Sequence, residues 1–217
     1  MLTFSSDDKI NFINIKEVIN LMTLISSRAV EDFHFAAKAE GLQYMLVGGF
    51  AASYWGKPRF TADVDYVIEC DSLDIAQRIL SNLNYQLVFL HPKKSFAHFK
   101  PITGSGFRID LMILDKETWS KLWASVKEGD FGGQEKYPLV DSLHLIAMKL
   151  HAAKQPDREE YHKDINDIVE IMLTQNYNFA DLEQAGIIEK HGAKETISLL
   201  RKLFDTRISR ADLAKPD

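Results

Sequence analysis

A single cysteine, Cys70, among 217 residues excludes any disulfide within the chain and suits a reducing compartment. At the end of a strand it reads as a small core residue. Six prolines and eleven glycines are too few for a linker-rich or low-complexity protein, and no internal repeat is visible. Positive charge is in deficit: 26 Lys and Arg against 31 Asp and Glu leave a net charge of −5. Grip on a long nucleic acid rests on neutralising phosphates with a basic face, so this balance argues against a general DNA or RNA binder. It leaves room for a local basic site around a triphosphate or a short RNA end. Long apolar runs are missing as well. Residues 1–12 carry Asp7 and Asp8 and too short an apolar stretch for a signal peptide or a membrane span. A cytoplasmic protein with no membrane partner is the expectation.

What is present is ample core material, 46% hydrophobic residues, in two regions of different pattern. Ile15, Val18, Ile19, Met22, Ile25, Ala29, Phe33 and Ala36 recur at helical spacing and predict a helix over 14–40, with Ser26-Ser27 as a place to divide it. A short buried strand over 44–47 follows, stopped by Gly48-Gly49, and then a short helix over 50–55. Residues 63–69 alternate as a strand, and Asp71 or Ser72 can cap a helix reaching Leu83. Three strands are predicted over 85–90, 96–101 and 107–114, with a turn at Gly104-Ser105-Gly106. Beyond a composition shift near 129–138, helices are predicted over 141–153, 157–173, 179–191 and 194–204, with fraying after Arg207. The fold class is therefore α/β: a small mixed sheet with flanking helices over 1–135, then a helical bundle over 136–217.

Chemistry concentrates around Gly48-Gly49 and Asp63-Val64-Asp65. Strand alternation sends Asp63 and Asp65 to one face and Val64 to the other. Two carboxylates that close repel unless a positive charge sits between them, and a divalent cation meets that need. On its own the Asp-Val-Asp segment is equally a solvated strand face. Asp110 lies in a second apolar strand whose Ile109, Leu111 and Ile113 point the other way. If the two strands are neighbours, three carboxylates converge on one sheet edge. Such a set can hold two Mg²⁺, or Mn²⁺, on the order of 4 Å apart. Two glycines ending a strand before a helix let backbone amides approach phosphate closely.

Gly48-Gly49 with Asp63, Asp65 and Asp110 resembles the nucleotidyltransferase superfamily that includes DNA polymerase beta. Val47-Gly-Gly-Phe-Ala-Ala, with Arg59-Phe-Thr-Ala-Asp-Val-Asp65, resembles more narrowly the AbiEii-like toxin and abortive-infection nucleotidyltransferases. Leu145-Ile-Ala-Met-Lys149-Leu-His-Ala and Lys163-Asp164-Ile-Asn-Asp167 extend the likeness over about residues 45–172. The resemblance implies transfer of a nucleoside monophosphate from an NTP to an acceptor hydroxyl with release of pyrophosphate. It further implies a toxin-like role, a tRNA 3′ end as acceptor and a cognate antitoxin as partner. A protein or small-molecule hydroxyl is the alternative acceptor, and a nucleotide-binding regulatory module without turnover the alternative class. Phe50 stands where many members carry a small hydroxyl residue, and Tyr161 where an arginine often precedes the Lys-Asp pair.

Asp63, Asp65 and Asp110 are thus the expected metal ligands, with Asp110 serving the attacking oxygen. Gly48, Gly49, Arg59, Thr61 and Lys149 are the expected nucleotide contacts. Lys149 sits on a mostly apolar helical face, where a lysine can also merely reach out to solvent. Asp164 is expected to orient Lys149 or act as a base, and Asp167, on the same helix face, takes a weaker version of that role. Arg158 and His162 are substitutes for the arginine that Tyr161 displaces. His98, His144, His151 and His162 read as surface or packing residues. Phe96, Phe99, Trp119 and Trp123 divide between base stacking and core filling. Lys93, Lys94, Lys100 and Arg108 form the densest basic patch, read as a solvated hairpin or a triphosphate rim.

Overall fold

The computed structural model describes residues 15–103, 106–131, 135–156 and 158–213. The reading of residues 1–12 and of the turn at Gly104 and Ser105 falls outside them. Helix α1 (Ile15–Glu40) runs unbroken through Ser26-Ser27 and buries Val30, Phe33 and Ala37. Strand β1 (Tyr44–Leu46), helix α2 (Gly48–Trp55) and strand β2 (Asp63–Glu69) follow. A 3₁₀ turn over Cys70–Ser72 leads into α3 (Leu73–Asn82) without a side-chain cap from Ser72. Strands β3 (Tyr85–Leu90), β4 (Phe96–Pro101) and β5 (Arg108–Leu114) come next, close to the predicted bounds.

Three elements were not anticipated: α4 (Lys116–Trp123), β6 (Lys127–Gly129) and β7 (Tyr137–Leu139). The last two are three residues each, too short to show a period. Trp119 and Trp123 stack on each other, centroids 5.2 Å apart, with Trp119 in the core. Helices α5 (Ser142–Ala152), α6 (Tyr161–Thr174), α7 (Phe179–Gln184), α8 (Ile187–His191) and α9 (Lys194–Leu213) complete the chain. Asp141 caps α5 by accepting from the Leu143 and His144 amides. The helix expected over 157–173 starts only at Tyr161, and the one over 179–191 divides at Gly186. Residues beyond Arg207, expected to fray, remain helical to Leu213.

The described strands form one seven-stranded mixed sheet in the order β3-β4-β5-β2-β1-β7-β6. β2 pairs antiparallel with β1 and parallel with β5, so the two carboxylate-bearing strands are neighbours in the middle of the sheet. β7, on the C-terminal side of the composition shift, pairs parallel with β1 through Leu46 and Leu139. Val64, Tyr66, Val67 and Ile68 of β2 and Ile109 and Leu111 of β5 are fully buried. That burial fixes the register, because a one-residue slip would send Asp65 into the core. Among the described residues no helix is long and apolar enough to cross a membrane.

Candidate active site

Parallel pairing of β2 with β5 sets Asp63 opposite Arg108 and Asp65 opposite Asp110. All four belong to one face, since side chains alternate along each strand. The three expected carboxylates are therefore brought together, and with them Arg108, which the sequence reading left in a surface patch. Arg108 Nη2 lies 2.9 Å from Asp63 Oδ2 and 2.9 Å from Asp110 Oδ2. Thr61 Oγ1 donates to Asp63 Oδ1 at 2.9 Å. On the far side, β4 places His98 opposite Asp110, with His98 Nδ1 2.6 Å from Asp110 Oδ1. The sequence alone marks His98 as a surface or packing residue. The alternation of Arg108 with Asp110 was visible in the sequence; the β4 register that brings in His98 was not.

Asp65 has a different environment. Its closest donor is the Gly49 amide, 3.4 Å from Oδ2, at the start of α2. Burial, and then the neighbouring charges of Asp63 and Asp110, push its carboxyl up to about 7. Gly48 lies against it with φ +57°, and a Cβ there would stand 1.9 Å from Asp65 Oδ2. The glycine pair thus lets the backbone close over the Asp65 carboxylate.

The helical half supplies the opposite wall. Lys149 of α5 does not reach out to solvent: it is 7% exposed, and its Nζ is held between Asp164 Oδ1 at 3.0 Å and Asp167 Oδ2 at 2.7 Å. Asp167 also takes a two-pronged bond from Arg59, Nε to Oδ1 and Nη2 to Oδ2, each 2.6 Å. Arg158 Nε donates to Asp164 Oδ2 at 2.8 Å. Cations and carboxylates therefore alternate as Arg59, Asp167, Lys149, Asp164, Arg158. Burial alone would raise the Asp167 carboxyl, but the bonds from Arg59 and Lys149 outweigh it and hold it below the usual range. Arg59 donates to Asp167 and, through Nη1, to the Phe60 carbonyl.

Between these walls lies a cavity of about 280 Å³. Gly48, Gly49, Arg59, Asp63, Asp65, Asp110, Lys149 and Asp164 all line it; Thr61 stands behind Asp63, and Asp167 behind Lys149. Phe96 and Met112, paired across β4 and β5, extend the floor beyond Asp110. Phe99 is in the core, and Lys93, Lys94 and Lys100 are exposed away from the cavity. His162 is not in its lining, whereas Arg158 is. Among the described residues no three His, Cys, Asp or Glu side chains are gathered closely enough to hold a metal ion as they stand. Arg108 stands between two of the three carboxylates that would do so.

No protein-family model matches the sequence, and no curated protein matches it closely. Solved structures match it in fold. ANT(2″)-Ia in complex with adenylyl-2″-tobramycin superposes with a TM-score of 0.56 over 83% of this chain and 97% of that one. Its solution structure, described as an antibiotic-resistance factor, gives 0.52 over 84% and 92%. The chain has a nucleotidyltransferase fold. Identity is 14% in both comparisons, so the likeness is one of fold. An antigenic nucleotidyltransferase-like protein from Paracoccidioides brasiliensis is 18% identical, with a TM-score of 0.49 over 88% of this chain and 90% of that one.

Proposed function

We propose that this protein transfers a nucleoside monophosphate from an NTP to an acceptor hydroxyl, releasing pyrophosphate. The observation that carries the reading is the meeting of Asp63, Asp65 and Asp110 on one sheet face, beneath the Gly48-Gly49 turn and across a cavity from Lys149. The donor set suits a hard divalent cation: carboxylate oxygens only, those of Asp65 half-buried and without an ion-pair partner in the cavity wall. Asp63, Asp65 and Asp110 would hold Mg²⁺ or Mn²⁺, which supplies charge neutralisation for the triphosphate. The acceptor oxygen bonds to the α-phosphorus, and the bond from that phosphorus to the β-phosphate oxygen breaks. Asp110 accepts the hydroxyl proton, its carboxylate oriented by His98 on the neighbouring strand. The Gly49 amide and Lys149 face the phosphates, and Lys149 balances charge that grows on departing pyrophosphate.

The Gly-Gly, Asp-x-Asp and Lys-Asp-x-x-Asp motifs favour an AbiEii-like toxin, with a tRNA 3′ end as acceptor and an antitoxin as partner. The likeness to ANT(2″)-Ia, solved with an adenylylated tobramycin, favours a small-molecule hydroxyl instead. Charge within the cavity speaks against a polycation. Asp63, Asp110, Glu160 and Asp164 are each ion-paired to a side chain of the protein, leaving Asp65 alone without a cation. Purified protein incubated with each α-labelled NTP, Mg²⁺ and either total cell RNA, cell protein or a panel of uncharged hydroxyl-bearing small molecules tests both. Label moving to RNA supports the first acceptor and label on a small molecule the second. No transfer to RNA, protein or small molecules, despite NTP binding, would leave a nucleotide-binding module.

A further inference from the structure

Arg108 lies two residues before Asp110 on β5 and opposite Asp63 on β2. Its single Nη2 nitrogen spans the diagonal of the four-residue array, 2.9 Å from each of two carboxylates. The remaining corner, Asp65, has only a long amide bond. Every other cation lining the cavity is anchored elsewhere: Arg59 on Asp167, Lys149 on Asp164 and Asp167, Arg158 on Asp164, Lys163 on Glu160. Arg108 also differs in freedom. Its side chain is 43% exposed, whereas that of Lys149 is 8% exposed. It can leave its partners by rotating about its own stem, without opening the core.

We propose that Arg108 is a displaceable counter-ion: its guanidinium fills the place of a divalent cation between Asp63 and Asp110, and yields that place when a cation arrives. This rests on the cation site of the proposed function. The exchange is favourable on elementary grounds. A doubly charged ion approaches carboxylate oxygen to roughly 2.1 Å, against the longer reach of an N–H···O bond, and carries twice the charge. Occupancy by Arg108 lowers the apparent cation affinity by the fraction of time it holds the pair. Once released, the guanidinium stands unpaired at the wall of a cavity built for a polyanion. Cation entry thereby creates an anion contact, and the two ligands favour each other.

The test is Mn²⁺ titration by calorimetry, without nucleotide, on the full chain and three variants. Arg108→Gln is expected to bind Mn²⁺ about tenfold more tightly, the gain for a counter-ion present about nine-tenths of the time. Lys163→Gln removes the same charge from the cavity wall and should gain under about threefold, as a screened distant charge does. Equal gains in both, or none in Arg108→Gln, overturn the proposal. Because Arg108→Gln leaves two carboxylates unneutralised and could fail to fold, a second measurement uses the unaltered side chain. Mg²⁺ must shift one arginine Nε–Hε NMR resonance, and Asp65→Asn must abolish that shift; a spectrum without a response overturns the proposal. Mn²⁺ binding that disappears in Asp65→Asn but ignores Arg108→Gln sinks the counter-ion and leaves the proposed function standing. Absence of Mn²⁺ binding in every form sinks both.

Discussion

Arg59 and Asp167, 108 residues apart, meet through two parallel hydrogen bonds of 2.6 Å. They tie the segment entering β2 to the middle of α6, and so join the carboxylate strand to the helical wall. Asp167 is 6% exposed and also neutralises Lys149. Asp167→Ala would strand Arg59 and leave Lys149 with Asp164 as its one carboxylate, and is expected to lower stability by about 3–5 kcal/mol. Urea unfolding measures this. Arg59→Met with Asp167→Leu should recover much of the loss, because an apolar pair replaces the ion pair. A double variant as unstable as Asp167→Ala would show that the bond is not what Asp167 contributes.

Lys149 carries a second expectation. From the sequence it was open whether this lysine merely reached for solvent, in which case its removal would leave stability untouched. Buried between Asp164 and Asp167, it cannot be silent. Lys149→Ala is expected to cut transfer by about 10²-fold, as loss of a preorganised electrostatic group does. It should also lower stability by about 2–4 kcal/mol, since both aspartates lose a partner. Lys154, exposed with its Nζ donating to the Lys190 carbonyl, is the control: alanine there should stay within about 0.5 kcal/mol. Matching small effects at both positions would remove Lys149 from the site.

These cases show what was legible in the chain. The carboxylates could be found because alternation in a strand needs only local sequence, and the same rule places Arg108 beside Asp110. The partners of Lys149 were half legible: Asp164 and Asp167 share a helix face, but which lysine they meet depends on how α5 packs on α6. His98 was hidden, because its closeness to Asp110 depends on the register of β4 against β5. β6 and β7 were hidden for another reason: three-residue strands gain their structure from pairing, β7 with β1 and β6 with β7, not from their own pattern.

Asp65 makes stability depend on pH in a definite direction. Its carboxyl is raised to about 7 in the folded chain, against an ordinary value near 4 when unfolded. The unfolded state therefore releases its proton first. The favourable contribution of the neutral form is whole below about pH 4 and disappears as pH rises towards 7. In metal-free protein with EDTA, Asp65→Asn is expected to be stabilised relative to the parent by on the order of 2 kcal/mol at pH 8 and little at pH 4. Transfer should be lost at both. Thermal melts at the two pH values measure the difference; a destabilised Asp65→Asn at pH 8 would mean that the carboxylate is compensated after all.

Gly48 offers the sharpest separation of site from scaffold. Its φ of +57° is a conformation that side chains with a Cβ adopt at a penalty of about 1–2 kcal/mol. Gly41, at φ +67°, pays the same penalty but has nothing within 4 Å of an added Cβ. At Gly48 the added atom would fall 1.9 Å from Asp65 Oδ2 and 2.4 Å from its Cγ, so the carboxylate must move. Gly41→Ala and Gly48→Ala thus share a backbone loss of about 1–2 kcal/mol in unfolding free energy, to which Gly48→Ala adds a clash that reaches Asp65 Cβ at 2.7 Å. They should part company in function. Gly41→Ala should keep full Mn²⁺ affinity and transfer, while Gly48→Ala loses at least about tenfold in each, since catalytic geometry tolerates little displacement. Calorimetry and label transfer on the two variants side by side decide it. A Gly48→Ala protein that binds Mn²⁺ and turns over like Gly41→Ala would mean that Asp65 has no part in holding the cation.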